Sequence, residues 1–438
     1  MKRFVRPGAF LLLAALLFCL SGCYSGNIDQ YFSLPMASEE YRQLQSLIDE
    51  ELASGSEYAA PIHGSYRQSV QLSDVDGDGA DEALAFFRDA AKNPKINIYD
   101  SENGEHRLAL SISGEGSSIG RIDYADLTGD GQKELLVSWQ ISSGLSVLGV
   151  YSLAGWSGDV LLSTDSAEFV TGDINRDGCD ELLNLRAANS MTYLVDQYTF
   201  PLGQEPQATS AALSAGISAL QRLRMVTLAG DAPALLAEST LTTGDLVSDL
   251  FVCRDGSLIN LTMNRTTQIS ETRRSYSLVY AQDIDGDGST EIPHPQQLYS
   301  RGDEVFWSIA WFRYDASGRA STIMTTYHCV TDNWYLVLPS GWDVGLTVRR
   351  DDSVSGERAV ILSRLRSDGS LEDYVAIYAI TGENRYERAR LDNRFLLQEE
   401  GTTVYAAKIL DGKTDENTIR SRFHVIYTDW SSGSVVGG

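Results

Sequence analysis

Residues 74–82 read Asp74-Val75-Asp76-Gly77-Asp78-Gly79-Ala80-Asp81-Glu82. Acidic side chains occupy the first, third and fifth positions of this stretch, and a glutamate closes it at the ninth. Carboxylates at alternate positions of a turning chain can surround a hard cation with oxygen ligands. The two glycines permit the tight backbone bends that aim these oxygens at one point. The stretch therefore predicts a metal-binding loop.

The same nine-residue pattern returns, with substitutions, at 126–134, 173–181 and 283–291. The first three loops start 52 and 47 residues apart, whereas 110 residues separate the start of the third from the start of the fourth. The longer interval leaves room for one more unit of similar size. Its remnant is 225–231, which keeps the apolar strand pattern but has lost the metal ligands.

Short strand-like stretches surround each loop. In the first unit, 70–72 leads into the loop, and 83–87, 96–99 and 108–112 follow it. A repeat of about 50 residues that carries four strands is typical of a β-propeller blade. We therefore predict a mainly β fold, a β-propeller of four-stranded blades with metal-binding loops.

The candidate ligands follow from their positions in each loop. Oxygens at the first, third, fifth and ninth positions and a main-chain carbonyl at the seventh would surround the ion. Such ligands in a flexible loop favour Ca²⁺ over Mg²⁺, which requires stricter octahedral geometry. The predicted ligands are Asp74, Asp76, Asp78, Ala80, Glu82, Asp126, Thr128, Asp130, Gln132, Glu134, Asp173, Asn175, Asp177, Cys179, Glu181, Asp283, Asp285, Asp287, Ser289 and Glu291.

The four loops differ in charge. The first and the fourth have acidic side chains at all four side-chain positions, whereas Thr128 and Asn175 leave the second and the third with three. Arg176 also places a positive charge in the third loop. Because fewer charges generally mean weaker binding, we expect the first and fourth loops to bind Ca²⁺ most tightly.

The order strand, D-x-D-G-D-G-x-x-[DE], strand resembles the FG-GAP/VCBS repeat of integrin α-subunits and many bacterial surface proteins. The resemblance covers 69–326 and implies Ca²⁺ in loops of propeller blades. The sequence departs from the family pattern at Thr128, Asn175 and Arg176, and all four loops end in Glu where many family members have Asp.

The first 22 residues have the features of an export signal. Three basic residues precede the apolar run 9–20, which is shorter than the about 20 residues that a membrane span needs. The run ends at Leu20-Ser21-Gly22-Cys23, which resembles the bacterial lipobox. That resemblance implies that 1–22 is a lipoprotein signal peptide and that Cys23 is acylated. The chain would then be lipid-anchored at the extracytoplasmic face of the cell membrane.

Residues 23–68 are interpreted as a tether and an N-terminal helix. The first part is mostly polar, as in a spacer. After Ser38, a candidate helix cap, apolar residues recur at helical spacing. They are Tyr41, Leu44, Leu47, Ile48 and Leu52.

The C-terminal region, 327–438, has no metal loop and leaves two architectures open. It can supply degenerate blades that close a propeller of seven, which the length from residue 69 favours, or it can form a small α+β domain. Residues 419–427 fit both a helix face and an alternating strand.

Charge and cysteine content narrow the functional classes. The 438 residues carry 60 acidic and 35 basic side chains, and the net charge of −25 argues against nucleic-acid binding. Beyond Cys23, the three remaining cysteines form no CxxC pair, so we predict neither a disulfide framework nor a zinc site.

No sequence motif identifies catalytic residues. The favoured interpretation is a non-catalytic binding or adhesion module for a protein or polysaccharide ligand. The alternative is a carbohydrate-active enzyme, a glycosidase or lyase, that uses dispersed carboxylates on the propeller face. A third possibility is an envelope assembly factor with a partner at the C-terminal region.

Overall fold

Six antiparallel β-sheets of four or five strands contain nearly all the strands in the described part of the chain. The computed structural model describes residues 39–102, 105–189, 192–300 and 302–427. The predicted signal peptide, Cys23 and the tether to residue 38 lie outside the described residues. In the part of the chain that is described, no helix is long and apolar enough to cross a membrane.

The first three sheets correspond to the three units predicted around the first three loops. The first contains β1 (Glu57–Tyr58), β2 (Val70–Ser73), β3 (Glu82–Arg88), β4 (Pro94–Glu102) and β5 (Glu105–Ser113). The second contains β6 (Ser118–Ala125), β7 (Glu134–Ser142), β8 (Leu145–Tyr151) and β9 (Val160–Ser166). The third contains β10 (Glu168–Gly172), β11 (Glu181–Asn189), β12 (Thr192–Thr199) and β13 (Gln207–Ala212). Their strands pair in chain order, except that β1 and β2 both pair with β3.

The fourth sheet is the unit that has lost its metal ligands. It contains β14 (Ile217–Leu228), β15 (Ala232–Leu241), β16 (Leu246–Arg254) and β17 (Ser257–Asn260), and a hairpin of β18 (Met263–Asn264) and β19 (Ile269–Ser270) follows. Only 229–231 separate β14 from β15. A short turn therefore replaces the nine-residue loop of the other units.

Two further sheets come from the C-terminal third of the chain. The fifth pairs, in spatial order, β20 (Glu291–Gln297), β21 (Trp307–Tyr314), β22 (Ala320–Cys329), β23 (Trp334–Val337) and β29 (Phe423–Val425). The sixth pairs, again in spatial order, β24 (Leu346–Asp351), β25 (Glu357–Leu365), β26 (Leu371–Ile380), β28 (Thr403–Ile409) and β27 (Phe395–Glu400).

The described part of the C-terminal region, 327–427, is continuous with the preceding sheets. The boundary placed between residues 326 and 327 falls inside β22, so the chain does not divide there. The described residues form six sheets of four or five strands, and the count of seven blades is not confirmed. The ambiguous segment 419–427 contains the end of a short helix, Glu416–Arg420, and then β29.

Hydrophobic clusters join each sheet to the next in chain order. Leu84 and Phe86 of β3, for example, pack with Ile119 and Val137 of the second sheet. Comparable clusters join the second sheet to the third, the third to the fourth, the fourth to the fifth and the fifth to the sixth. The apolar side chains therefore stack the sheets face to face.

Helical segments pack against the outer faces of the two terminal sheets. The helix α1 (Glu39–Ala53) buries Leu44 and Ile48 against Ala83, Ala85 and Phe87, which alternate along β3 with the residues that face the second sheet. On the sixth sheet, Ile380, Val404 and Ala406 pack against Ala389, which follows the short helix α2 (Arg385–Arg388). Ring closure between the sixth and first sheets stays a prediction.

Candidate metal centres

The four loops share one hydrogen-bonded frame around the carboxylate at the first position. In the first loop, Gly77 and Gly79 donate their N–H groups to Asp74 at 2.8 and 3.2 Å. Both glycines have positive φ, of 79° and 90°, which side chains with a Cβ rarely adopt. The corresponding carboxylates of Asp126 and Asp173 also accept two N–H groups each from their own loops, and that of Asp283 accepts three.

The fifth and ninth positions complete this frame. In every loop the fifth-position aspartate accepts the N–H of the seventh residue, Ala80, Gln132, Cys179 or Ser289, at 2.8 to 2.9 Å. The ninth-position glutamate accepts the N–H of the second residue, Val75, Leu127, Ile174 or Ile284, at 2.9 to 3.2 Å. The four sequences therefore fold into one loop conformation despite their substitutions.

The first loop concentrates the most negative charge. Oxygens of Asp74, Asp76 and Asp78 lie within 4.8 Å of one another, and oxygens of Asp76, Glu82 and Asp100 do so as well. Glu82 is fully buried, and its Oε1 has no hydrogen-bond partner within the described part of the chain. A buried carboxylate oxygen without a donor is costly unless a cation contacts it. These residues therefore fit a hard divalent cation.

Asp100 is the residue that the sequence pattern missed. It lies 18 residues beyond Glu82, outside the nine-residue loop, and is 6% exposed. Ala83 of β3 pairs with Tyr99 of β4, and the two strands are antiparallel. The next residue of β4, Asp100, therefore lies opposite Glu82, the residue before Ala83 in β3. Arg107 contacts its Oδ2 at 2.8 Å. Only the strand register brings this carboxylate to the loop.

The second loop adds neutral oxygens to its three carboxylates, Asp126, Asp130 and Glu134. The Oγ1 of Thr128 and the Oε1 of Gln132 are buried and lack hydrogen-bond partners among the described residues. The predicted role of Thr128 as an oxygen ligand fits this environment. For Gln132, the side-chain amide oxygen is a candidate in addition to the predicted main-chain carbonyl.

In the third loop, an amide partly takes the place of a cation. The Nδ2 of Asn175 donates to Asp177 at 2.9 Å and to Glu181 at 2.6 Å. Arg176 stands at the position of the first glycine with φ of 66°, and its guanidinium reaches the carbonyl of Asp231 outside the loop. An ion here would have to displace the amide contacts, which supports the expectation of weaker binding.

The fourth loop brings together Asp283, Asp285 and Glu291, with oxygens within 4.8 Å of one another. Unlike the first loop, it contains a guanidinium. Arg313 of β21 contacts Asp285 and Asp287 at 2.8 Å each and Glu291 at 2.7 Å. The nine-residue sequences of the first and fourth loops have acidic side chains at the same four predicted ligand positions. The two loops nevertheless differ in the charged side chain that lies beside the ninth-position glutamate.

Main-chain hydrogen bonds connect the loops of neighbouring sheets. Lys133 of the second loop donates its N–H to the Val75 carbonyl of the first at 3.0 Å. Asp180 of the third donates to the Asp126 carbonyl of the second at 3.3 Å. Thr290 of the fourth donates to Thr227 in β14 at 2.8 Å. An ion that rigidifies one loop would therefore also stabilise the junction between two sheets.

Burial changes the acidity of the ninth-position glutamates. It raises the pKa of Glu82, Glu134 and Glu181 to about 7 each, and the nearby loop aspartates add to this effect. Burial also raises the pKa of Glu291, although contact with Arg313 opposes the rise. A cation that binds the first three loops must therefore compete with protons near neutral pH.

A polar cleft between the second and third sheets lies at the opposite end of β6 from the second loop. We call it the serine cleft, and its volume is about 280 Å³. Its lining includes Ser138, Gln140, Ser142, Ser143, Ser146, Ser166, His63, Arg121 and Glu168. Its single lining carboxylate, Glu168, contacts Arg121 at 2.7 Å.

A second cleft, of about 210 Å³, lies between the fifth and sixth sheets, and Glu304 is its single lining carboxylate. A glycosidase of the usual kind requires two carboxylates that flank one bond. The lining of neither cleft provides such a pair.

No protein-family model and no curated protein matches the sequence. Among solved structures, the chain is similar to a protein of Bacteroides uniformis ATCC 8492 that is provisionally assigned as a 6-phosphogluconolactonase. That match has 12% identity and a TM-score of 0.27, and it covers 68% of this chain and 82% of the other. A protein of Bacteroides fragilis NCTC 9343 with the same provisional assignment matches at 12% identity and a TM-score of 0.23, over 71% and 95% of the two chains. Similarities of this size do not bear on the activity of this chain.

Proposed function

We propose that this chain is a calcium-stabilised binding module of the β-propeller type, anchored by acylated Cys23 at the extracytoplasmic face of a membrane. The observation that carries the calcium part is the shared loop conformation together with buried Glu82. Its carboxylate belongs to the first acidic cluster, and its Oε1 has no hydrogen-bond partner among the described residues. The sheets stack in chain order, as the blades of a propeller do.

The ions have a structural role in this proposal. Each loop joins two strands or precedes one, and neighbouring loops are hydrogen-bonded to each other or to the next sheet. Calcium would therefore hold adjacent sheets in register. The ligand would bind elsewhere.

The serine cleft is the ligand site that we propose. Its lining includes five serine hydroxyls and the side-chain amide of Gln140, and such groups can both donate and accept hydrogen bonds. A hydroxyl-rich ligand is complementary to this chemistry, so we favour a polysaccharide over a protein ligand. The single, arginine-bound carboxylate of the cleft favours binding over hydrolysis.

A bulky substitution at the cleft should abolish ligand binding without unfolding the protein. Ser143 is exposed in the turn between β7 and β8, so Ser143→Trp can fill the cleft entrance without burying the indole in a core. We expect the wild type to bind at least one member of a panel of immobilised polysaccharides and Ser143→Trp to bind none. The control is Thr243→Trp, at the exposed turn between β15 and β16. Equal binding by both variants would rule out the serine cleft as the site.

Acylation is expected to determine where the protein resides. Cys23→Ala removes the thiol to which the lipid would be attached, and stable anchoring depends on acyl chains. We expect the wild type in the membrane fraction and the variant released or retained as an unprocessed precursor. Fractionation followed by mass spectrometry of the N-terminus distinguishes these forms. Normal processing and full membrane retention of Cys23→Ala would refute the lipid anchor.

A further inference from the structure

We propose that the fourth loop is neutralised by the guanidinium of Arg313 and does not bind Ca²⁺. This inference rests on the proposal that the other loops bind calcium. Arg313 contacts three of the four acidic side chains that the sequence assigns to this loop, Asp285, Asp287 and Glu291, each within 2.8 Å. The guanidinium therefore contacts carboxylates on which a divalent ion would depend.

The β-sheet fixes the position of this arginine. Glu291 and Arg313 are directly paired across β20 and β21, so their side chains leave the same face of the sheet side by side. The Arg313 side chain is 20% exposed and that of Glu291 is fully buried. An arginine guanidinium remains charged at any physiological pH.

The same cross-strand position carries the opposite charge in the first sheet. There the residue opposite the ninth-position glutamate, Glu82, is Asp100. Its carboxylate lies close to those of Asp76 and Glu82. The first cluster thus gains the carboxylate of Asp100, which is contacted by the largely exposed guanidinium of Arg107. The fourth loop gains instead a mostly buried guanidinium that contacts three of its own carboxylates. A divalent cation is attracted to the first arrangement and repelled by the guanidinium in the second. The cross-strand residue, rather than the loop sequence, separates the two loops.

Counting the bound ions tests this inference. We expect Arg313→Ser to bind one more Ca²⁺ per chain than the wild type, measured by native mass spectrometry and calorimetric titration with CaCl₂. The additional ion should be lost again in Arg313→Ser/Asp285→Ala, which places it in the fourth loop. In chelator, Arg313→Ser should melt at a lower temperature than the wild type, and calcium should restore the difference.

Arg319→Ser is the matched control, because it removes the same charge from an exposed site at the end of the β21–β22 turn. It should leave the calcium count unchanged. An unchanged number of bound Ca²⁺ ions in Arg313→Ser, or a loss of stability that calcium does not restore, would overturn the inference. If the serine variant does not fold, the number of bound ions can be measured in Arg313→Gln instead. Failure of the proposed function looks different, because the wild type would then bind no calcium at all.

Discussion

Removal of calcium is expected to lower the free energy of unfolding by about 2.7 kcal/mol for each loop that was loaded at 100 times its Kd. In the folded chain, the first loop brings the carboxylates of Asp74, Asp76 and Asp78 close together beside buried Glu82. Without an ion these charges repel one another, and the unfolded chain does not preserve the cluster. The ion therefore binds almost only to the folded state.

Differential scanning calorimetry with chelator, calcium or magnesium measures this effect. Asp76→Ala should reduce the calcium-dependent rise in Tm more than Thr128→Ala or Asn175→Ala does, because it removes a charged ligand. Melting curves that are identical with chelator and with calcium would refute the metal-binding interpretation. Equal losses in all three variants would show that loop geometry outweighs ligand charge.

The same experiment has a predictable dependence on pH. The pKa values of Glu82, Glu134 and Glu181 are raised to about 7 in the folded protein. At a pH above the ordinary glutamate pKa but below about 7, these side chains are therefore protonated in the metal-free folded protein and ionised in the unfolded chain. Metal-free folding is therefore favoured as pH falls through this window, and calcium must release those protons. The rise in Tm on adding calcium should be smaller at pH 6 than at pH 8.

The second large effect is expected in the fourth sheet, which has no metal loop. Glu238 is fully buried and accepts hydrogen bonds from Arg274, Ser248 and the main-chain N–H of Ala281, at 2.9 to 3.0 Å. The side chain of Arg274 is 3% exposed. Because Glu238→Ala leaves this guanidinium buried without its carboxylate, we expect a loss of about 3–5 kcal/mol.

Urea unfolding of Glu238→Ala at saturating calcium measures this loss separately from any effect of the ions. The control is Glu57→Ala, since Glu57 pairs with Arg88 and Lys92 at the surface with 48% of its side chain exposed. Exposed pairs contribute about 1 kcal/mol or less. Similar losses in the two variants would mean that the buried pair does not support the fourth sheet as the structure indicates.

The sequence predicts the local features of this protein well, because they depend on short-range periodicity. The nine-residue loops fold alike, since each contains the donors and acceptors of its own frame, such as Gly77 and Asp74. The unit without ligands is also visible in the sequence, because the strand pattern at 225–231 persists after the loop has shortened.

Features that depend on strand register were not predictable in the same way. Asp100 and Arg313 lie 18 and 22 residues beyond the ninth-position glutamates of their loops. Their approach depends on hairpin lengths and on which residues pair. The predicted count of seven blades is not confirmed for a related reason, because β29, near residue 425, returns to pair with β23 of the fifth sheet. Division of chain length by a repeat length cannot detect such a return.

The contacts of each sheet with its neighbours have an evolutionary consequence. Each sheet contacts mainly its neighbours, and α1 and the segment after α2 shield the outer faces of the first and last ones. In repeat folds the stability of one unit depends mainly on its own packing and on its junctions with its neighbours, so a unit can lose its metal loop and still be held in place. The ligand-free fourth unit shows that a unit can keep its place after its loop has degenerated.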